Sequence, residues 1–350
     1  MAVLLEEFSP HGNLQAVVDA SDGVVYFYLW AGENSAFGMR SCWVRNLERA
    51  PDKLDYDSMK TGQAPLLPGS FCKHPEGADM PSAEQLRIVW FEEGDAAALL
   101  ENNEILCIIP SWSGQNGFSG FARDCIGESA LCWELDLDNE LKARVKKAEE
   151  FWKSWETDQS QIWAEMQSSF LESMENCFGP HQKYYAIDGD NWPPKALLQF
   201  SIPGGIVLLT LGVSIRPQPQ IEIYLNDPQN YRRVEFGICL ADTPQNQGLI
   251  QSTARYISAL SRSPWDDFTW FAGGHTVSCD LFEGFSAFVL SKNPQGCPAL
   301  RLPELRGETV NILWLTPITA GELELAKAAG SPALFDALCE SDRGMWMHAR

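Results

Sequence analysis

The sequence predicts an α+β protein in which two sheet-based domains are joined by a long helical segment. Three observations carry this. Short apolar runs bounded by Gly- and Pro-bearing turns occupy both ends of the chain, residues from about 139 to 176 follow a three- and four-residue apolar spacing, and no repeating βαβ period links the strands. A length of 350 residues is also what about two domains require. The expected divisions are a β-rich domain over 1–135, a helical connector over 136–180 and a second domain over 181–340.

In the first third, Leu14 to Trp30 places Asp22-Gly23 between two apolar runs, a strong short-range signal for a hairpin. A third strand is expected over Gly38 to Leu47. Residues Pro51 to Pro81 hold three Pro-bearing turns and little periodicity, so they read as a long loop or surface excursion. Leu86 to Phe91 then reads as a strand, Asp95 to Leu100 as a short helix and Glu104 to Ile109 as another strand. No family is named for this domain.

The connector has Leu141, Val145, Ala148, Trp152, Trp155, Ile162, Met166, Phe170 and Cys177 at helical spacing. A continuous helix over it would be on the order of 57 Å long at a rise of 1.5 Å per residue. Asp158 as an N-cap with Gln161 three residues on predicts instead two helices broken near Thr157-Asp158. Lys142, Arg144, Lys146 and Lys147 give the segment a local positive face, read as salt links to the acidic bulk of the protein rather than as an RNA site.

Beyond residue 181, Ala196 to Ile202 leads through Pro203-Gly204-Gly205 into an apolar strand over Ile206 to Ser214, as a hairpin would. Ile221 to Leu225 and Val234 to Leu240 alternate as strands. Gly248 to Ser261 has the spacing of a helix. Ile312 to Leu315 is an apolar run suited to a strand covered on both faces, and Pro317 is expected to end it. Thr319 and Glu322 then form a T-x-x-E capping box, and the helix it opens should close at Gly330.

Three of these segments, in this order, resemble the Suppressor of fused domain family in its bacterial form. The strand with Thr210, Gly212 and Ser214 among apolar residues is similar to one of that family's strands. The segment from Trp265 to Val277, with Phe271, Gly274 and His275, is similar to its aromatic run leading into a Gly-rich turn. The third is the apolar strand carrying Trp314, followed by Pro317, Thr319, Glu322 and Gly330. The chain departs from the family after Ser214, where many members continue with an acidic residue and this sequence has Ile215 and Arg216.

Charge and site chemistry narrow the function classes. Against 26 Lys plus Arg stand 47 Asp plus Glu, a formal net charge of −21, whose field repels nucleic acid and anionic membrane and attracts a basic partner. The start of the chain lacks a basic n-region, no window approaches the roughly 18 apolar residues of a membrane span, and the ten cysteines form no C-x-x-C pair. The expectation is a cytoplasmic protein with reduced, mostly buried thiols and no cofactor or metal. His275 with Cys279 would sit about 13 Å apart on a strand face, too far for a nucleophilic pair. The run Gly114 to Gly120 has neither dinucleotide nor P-loop spacing. No catalytic residue is assigned.

What the resemblance implies is a C-terminal mixed sheet flanked by helices that acts as a non-catalytic protein-binding module. Bacterial relatives look like immunity proteins that neutralise a cognate toxin or effector, and the acidic composition suits a toxin with a basic face. The alternative is a general intracellular regulatory or sequestering protein, with an uncharacterised hydrolase third. Trp265, Trp270, Phe271 and His275 are the candidate partner-binding residues.

Overall fold

A computed structural model describes the chain apart from Met1, residues 33, 34, 36, 137, 190 and 191, residues 341–345 and residues 349–350, and apart from the side chains of 158–160, 347 and 348. The chain divides into two compact units. The first takes in Met1–Thr157 with Glu222–Tyr224, and the second Asp158–Ile221 with Leu225–Arg350.

The first unit holds two sheets. One is an antiparallel meander of β1 (Ala2–Phe8), β2 (Leu14–Ser21), β3 (Val24–Ala31) and β4 (Met39–Asn46). Ser21 pairs with Val24 across Asp22-Gly23, and both turn residues take positive φ, as a tight hairpin turn demands. After a loop that contains only the short helix α1 (Tyr56–Lys60) and two 3₁₀ turns, the second sheet follows. It comprises β5 (Leu86–Trp90), β6 (Ala97–Glu101), β7 (Glu104–Ile109), β8 (Phe121–Ala122) and β9 (Trp133–Glu134). The helix expected over Asp95 to Leu100 is therefore a strand. Gly94, at φ 85°, closes a turn in which its N–H donates to Phe91 O at 3.0 Å while Phe91 N–H donates to Ala96 O, and the resulting hairpin buries Ala97 to Leu100 completely. Tertiary burial overrides the helix preference of the alanines.

The connector forms one helix, α2 (Leu141–Phe178), of 38 residues. The break expected near Thr157-Asp158 is absent for a local reason. Thr157 Oγ1 donates to Lys153 O at 2.9 Å inside the helix, and Gln161 donates forward to Glu165 at 2.9 Å instead of reaching back as a capping box requires. The Asp158 side chain lies outside the described ones. Leu141, Val145 and Ala148 pack with Val89, Ala98 and Ile108 of the second sheet, and Arg144 forms an ion pair with Glu93 at 2.9 Å.

The second unit is built on a mixed sheet of eight strands: β10 (Lys183–Ala186), β11 (Ala196–Ile202), β12 (Gly205–Leu211), β13 (Arg233–Ala241), β14 (Thr276–Ser278), β15 (Ala287–Ser291), β16 (Val310–Ile318) and β17 (Met347–His348). The spatial order is β10-β11-β12-β13-β16-β15-β14, with β13 and β16 parallel and β17 beside the end of β13. Its helices are α4 (Pro244–Leu260), α5 (Ser263–Asp266) and α6 (Ala320–Glu340), the last interrupted at Gly330 with φ 85° and ψ 166°, while the short α3 (Ile221–Tyr224) falls, from Glu222 on, in the first unit. Ile250, Ile257 and Leu260 of α4 pack with Leu208, Phe236, Leu290 and Leu313 of the sheet. Leu334 and Leu338 of α6 pack with Ala287, Val289 and Ile318.

Three local expectations are corrected here. The strand over Ile206 to Ser214 ends at Leu211, because Gly212 turns left-handed at φ 101° and Val213–Ile215 form a 3₁₀ turn. Ile221 to Leu225 alternates like a strand but coils into α3, since Gln220 at φ 61° redirects the backbone. Pro317 does not end its strand. It pairs with Phe288 of β15, and β13 accompanies β16 only as far as Trp314, so the proline sits where the strand has one neighbour and its missing donor costs no ladder bond. Seven of the ten free thiols are buried. Among the described residues no helix is long and apolar enough to cross a membrane.

Candidate functional site

The C-terminal end of β12 and the start of β13 converge on one carboxylate. Glu235, with no exposed surface, accepts Thr210 Oγ1 at 2.6 Å on one oxygen, and Gly212 N–H at 2.9 Å, Ser214 N–H at 3.0 Å and Ser214 Oγ at 2.6 Å on the other. The β12–β13 ladder stops at Leu209–Gly237, and beyond it the Thr210 hydroxyl accepts the Phe236 N–H at 2.8 Å. Gly212 is required for this turn. Besides its positive φ, a Cβ there would stand 2.4 Å from Pro194 O and 2.9 Å from the Trp163 ring. Burial raises the Glu235 carboxyl above its ordinary value, and the hydroxyl and amide donors pull it back.

Arg233, two residues earlier and 2% exposed, extends the network. Its Nη1 donates to Ser214 O at 3.0 Å and Ile215 O at 2.6 Å, and its Nε to Glu308 at 2.6 Å. At the positions that depart from the family pattern, the backbone carbonyl of Ile215 accepts from Arg233, and Arg216 lies 5.0 Å over the Trp265 ring. With both oxygens filled and no surface, Glu235 holds backbone in place and offers nothing to a substrate. Among the described residues, no group of three or more His, Cys, Asp or Glu is gathered as a metal ion would need.

The aromatic segment divides into core and rim. Trp265, 5% exposed, donates its indole N–H to Pro217 O at 3.1 Å, and Phe271, 8% exposed, exchanges backbone bonds with the Gln218 amide at 2.8 and 3.0 Å. Both belong to the core beneath α4. Trp270 and His275 are half-buried, their rings edge to face at 4.6 Å. Burial depresses the His275 imidazole, although the Trp270 backbone opposes this. Burial pushes the Cys279 thiol up, away from the thiolate a nucleophile needs. Gly274, at φ 93°, donates to Leu290 O at 2.7 Å and brings the turn against β15.

The third motif is spread along β16 and α6. The Trp314 ring meets Trp346 edge to face at 4.4 Å and Phe178 at 6.3 Å. Thr319 N–H donates to Glu322 at 2.7 Å and Glu322 N–H to Thr319 Oγ1 at 3.3 Å, the reciprocal bonds of a capping box. The sequence motifs thus lie in three different places.

Sequence reading missed Glu235 and Arg233. Their signal was available: two charged residues inside an otherwise apolar strand, where each must find partners or leave the sheet. It also missed a cationic group formed by Lys195, Arg216 and Arg262, which no local motif announces. Lys195 is buried 5.6 Å over the Trp265 ring, and desolvation followed by the Arg216 and Arg262 charges lowers its ammonium to about 8.

Residues 195–348 match the family model of Suppressor of fused protein (SUFU). Two solved structures are similar over part of their length. The Sufu-Fu complex crystal structure is 13% identical over 44% of this chain and 74% of that chain, with a TM-score of 0.35. Drosophila Suppressor of Fused is 12% identical over 53% of this chain and 49% of that chain, with a TM-score of 0.37. No curated protein matches the chain. The C-terminal half carries a Suppressor of fused-like domain.

Proposed function

We propose that this domain is a non-catalytic protein-binding module and that the chain acts as an immunity-type protein, neutralising a cognate toxin or effector. The observation that carries the binding reading is the family match over residues 195–348. One of the similar structures is itself a complex, of Sufu with Fu. Within the domain, the polar network around Glu235 encloses that carboxylate completely and works to fix backbone.

The immunity reading follows from the resemblance to bacterial relatives that look like immunity proteins, and the charge of the chain suits it. At −21 the chain attracts a partner with a basic face and repels nucleic acid and anionic membrane, and such complementarity raises the encounter rate. Within the aromatic segment, Trp270 and His275 are the proposed contacts because they retain accessible surface, while Trp265 and Phe271 support them from the core. The experiment is capture of partners from the native host with the full chain as bait, followed by sequencing of the adjacent reading frames. A captured product of a neighbouring toxin gene supports immunity. A partner encoded elsewhere, with no toxin gene beside this one, favours the regulatory alternative.

A further inference from the structure

Between α4 and the β10–β11 end of the second unit's sheet lies a groove of about 580 Å³, within the range of roughly 300–1,000 Å³ typical of ligand pockets. Its floor is apolar. Tyr185 pairs with Leu197 across β10 and β11, so the two share a face with Ile187, and Ala254 of α4 closes the other side. One end is cationic: Arg255 of α4 and Arg262 just beyond its end, both exposed and about two helical turns apart, line it. Lys195 stands behind, its carbonyl accepting the Ile187 N–H at 2.9 Å, on the same face as Leu197 by strand alternation.

In a chain with 47 acidic and 26 basic side chains, no carboxylate of the described residues lies within salt-bridge distance of Lys195, Arg255 or Arg262. The Asp188 carboxylate accepts the Lys195 backbone N–H at 3.2 Å, and Asp266 and Asp188 partly offset the burial and the Arg216 and Arg262 charges that hold the Lys195 ammonium down. Two exposed arginines at the end of an apolar groove, with no ion pair among the described residues, form a site for an arriving carboxylate.

We infer that this groove binds a peptide segment of the partner in which an Asp or Glu carboxylate neighbours an apolar side chain, the carboxylate meeting Arg255 and Arg262 and the apolar group resting on Tyr185, Ile187 and Leu197. The occupant is a peptide because the groove is open along α4, with Gln251, Arg255, Ala259 and Arg262 all exposed at its edge. A small anion would use only the cationic end. The inference rests on the protein-binding reading and adds an anchor to it. The field of the whole chain draws a basic partner at long range, whereas the groove reads one local acid at contact.

The test is selection from a positional-scanning library of short peptides, acetylated and amidated to remove terminal charges, against the full chain and against Arg255→Glu with Arg262→Glu. Both arginines are exposed, and thermal unfolding checks that the variant is folded; Arg255→Gln with Arg262→Gln serves as a milder second variant. The expected result is enrichment of Asp or Glu next to an apolar position by about ten-fold or more over Lys or Arg, as a charge-assisted contact supplies. That preference should be abolished by the Glu variant and reduced by the Gln variant. Free glutamate should fail to compete with the selected peptide. Selection of basic or uncharged peptides, selection of none, or acidic selection indifferent to both variants overturns the groove and leaves the protein-binding reading to its own experiment. Competition by free glutamate at the peptide's own concentration overturns the peptide as occupant.

Discussion

Replacing Thr210 with valine should cost about twice as much as replacing Ser214 with alanine. The Ser214 hydroxyl is one of three donors to its oxygen of Glu235; Gly212 N–H and Ser214 N–H remain when it goes. Its loss removes one bond to a buried carboxyl, for which about 1.5 kcal/mol is expected, at the low end of the range for charged groups. Thr210 has two duties. It is the only donor among the described residues to the other Glu235 oxygen, and its own oxygen accepts Phe236 N–H. Valine keeps the shape but orphans two buried groups, each costing about 1–3 kcal/mol, so roughly 3–4 kcal/mol is expected. The assay is urea unfolding of the full chain with hydrogen exchange read over residues 205–241, which isolates this unit from the other. A Thr210→Val cost below about 1 kcal/mol, or no larger than that of Ser214→Ala, would refute the claim that hydroxyls hold the carboxyl.

Three further outcomes are expected. The folded state raises the Glu235 carboxyl above 4.5, so it retains a proton that the unfolded chain has lost, and this group's contribution to stability falls as pH rises through that window. Glu235→Gln should remove that slope, measured as the difference in unfolding free energy between the two proteins from pH 4 to pH 7; identical slopes would argue against it. Lys195 falls from 10.5 to about 8, so below pH 8 its burial as an ammonium costs up to about 3 kcal/mol. Lys195→Met should therefore raise stability at pH 7, with the gain shrinking as pH rises toward 10.5, and a gain that does not depend on pH would assign it to packing alone. Thr319→Ala should cost about 1 kcal/mol by removing the cap of α6, with partner affinity retained; unchanged stability with lost binding would move Thr319 to an interface.

The parts of the fold legible in the sequence are those written locally. Asp22-Gly23, Pro203-Gly204-Gly205 and Thr319-x-x-Glu322 each fix a turn or a cap within a few residues, and the structure has a hairpin, a hairpin and a capped helix there. The resemblance of the C-terminal half to the Suppressor of fused family followed from such segments in order, and the α+β class from mixed strands and helices without a βαβ period. The failures share a cause. Ala96 to Leu100 have helical preference but are buried on both sides by β5 and β7, and Ile221 to Tyr224 alternate like a strand until Gln220 redirects them. Propensity loses wherever distant partners supply more burial. The helix α4 begins at Pro244, ahead of the Gly248 that apolar spacing suggests, because the Thr243 side chain caps it by accepting the Asn246 N–H. Glu235 was hidden for another reason: Thr210, Gly212 and Ser214 could be recognised as a pattern, but the carboxylate they surround lies on a strand 21 to 25 residues away. The cationic group at Lys195, Arg216 and Arg262 is likewise assembled from three separate elements.

The most direct measurement of the central proposal is the association rate of the captured host partner with the full chain at 0.1 M and 1 M salt. Raising the salt shortens the Debye length from about 10 Å to about 3 Å, so an acidic binding module with a basic-faced partner should associate far more slowly at 1 M while dissociation changes little. A partner that is itself acidic, or an association rate equal at the two salt concentrations, would contradict it.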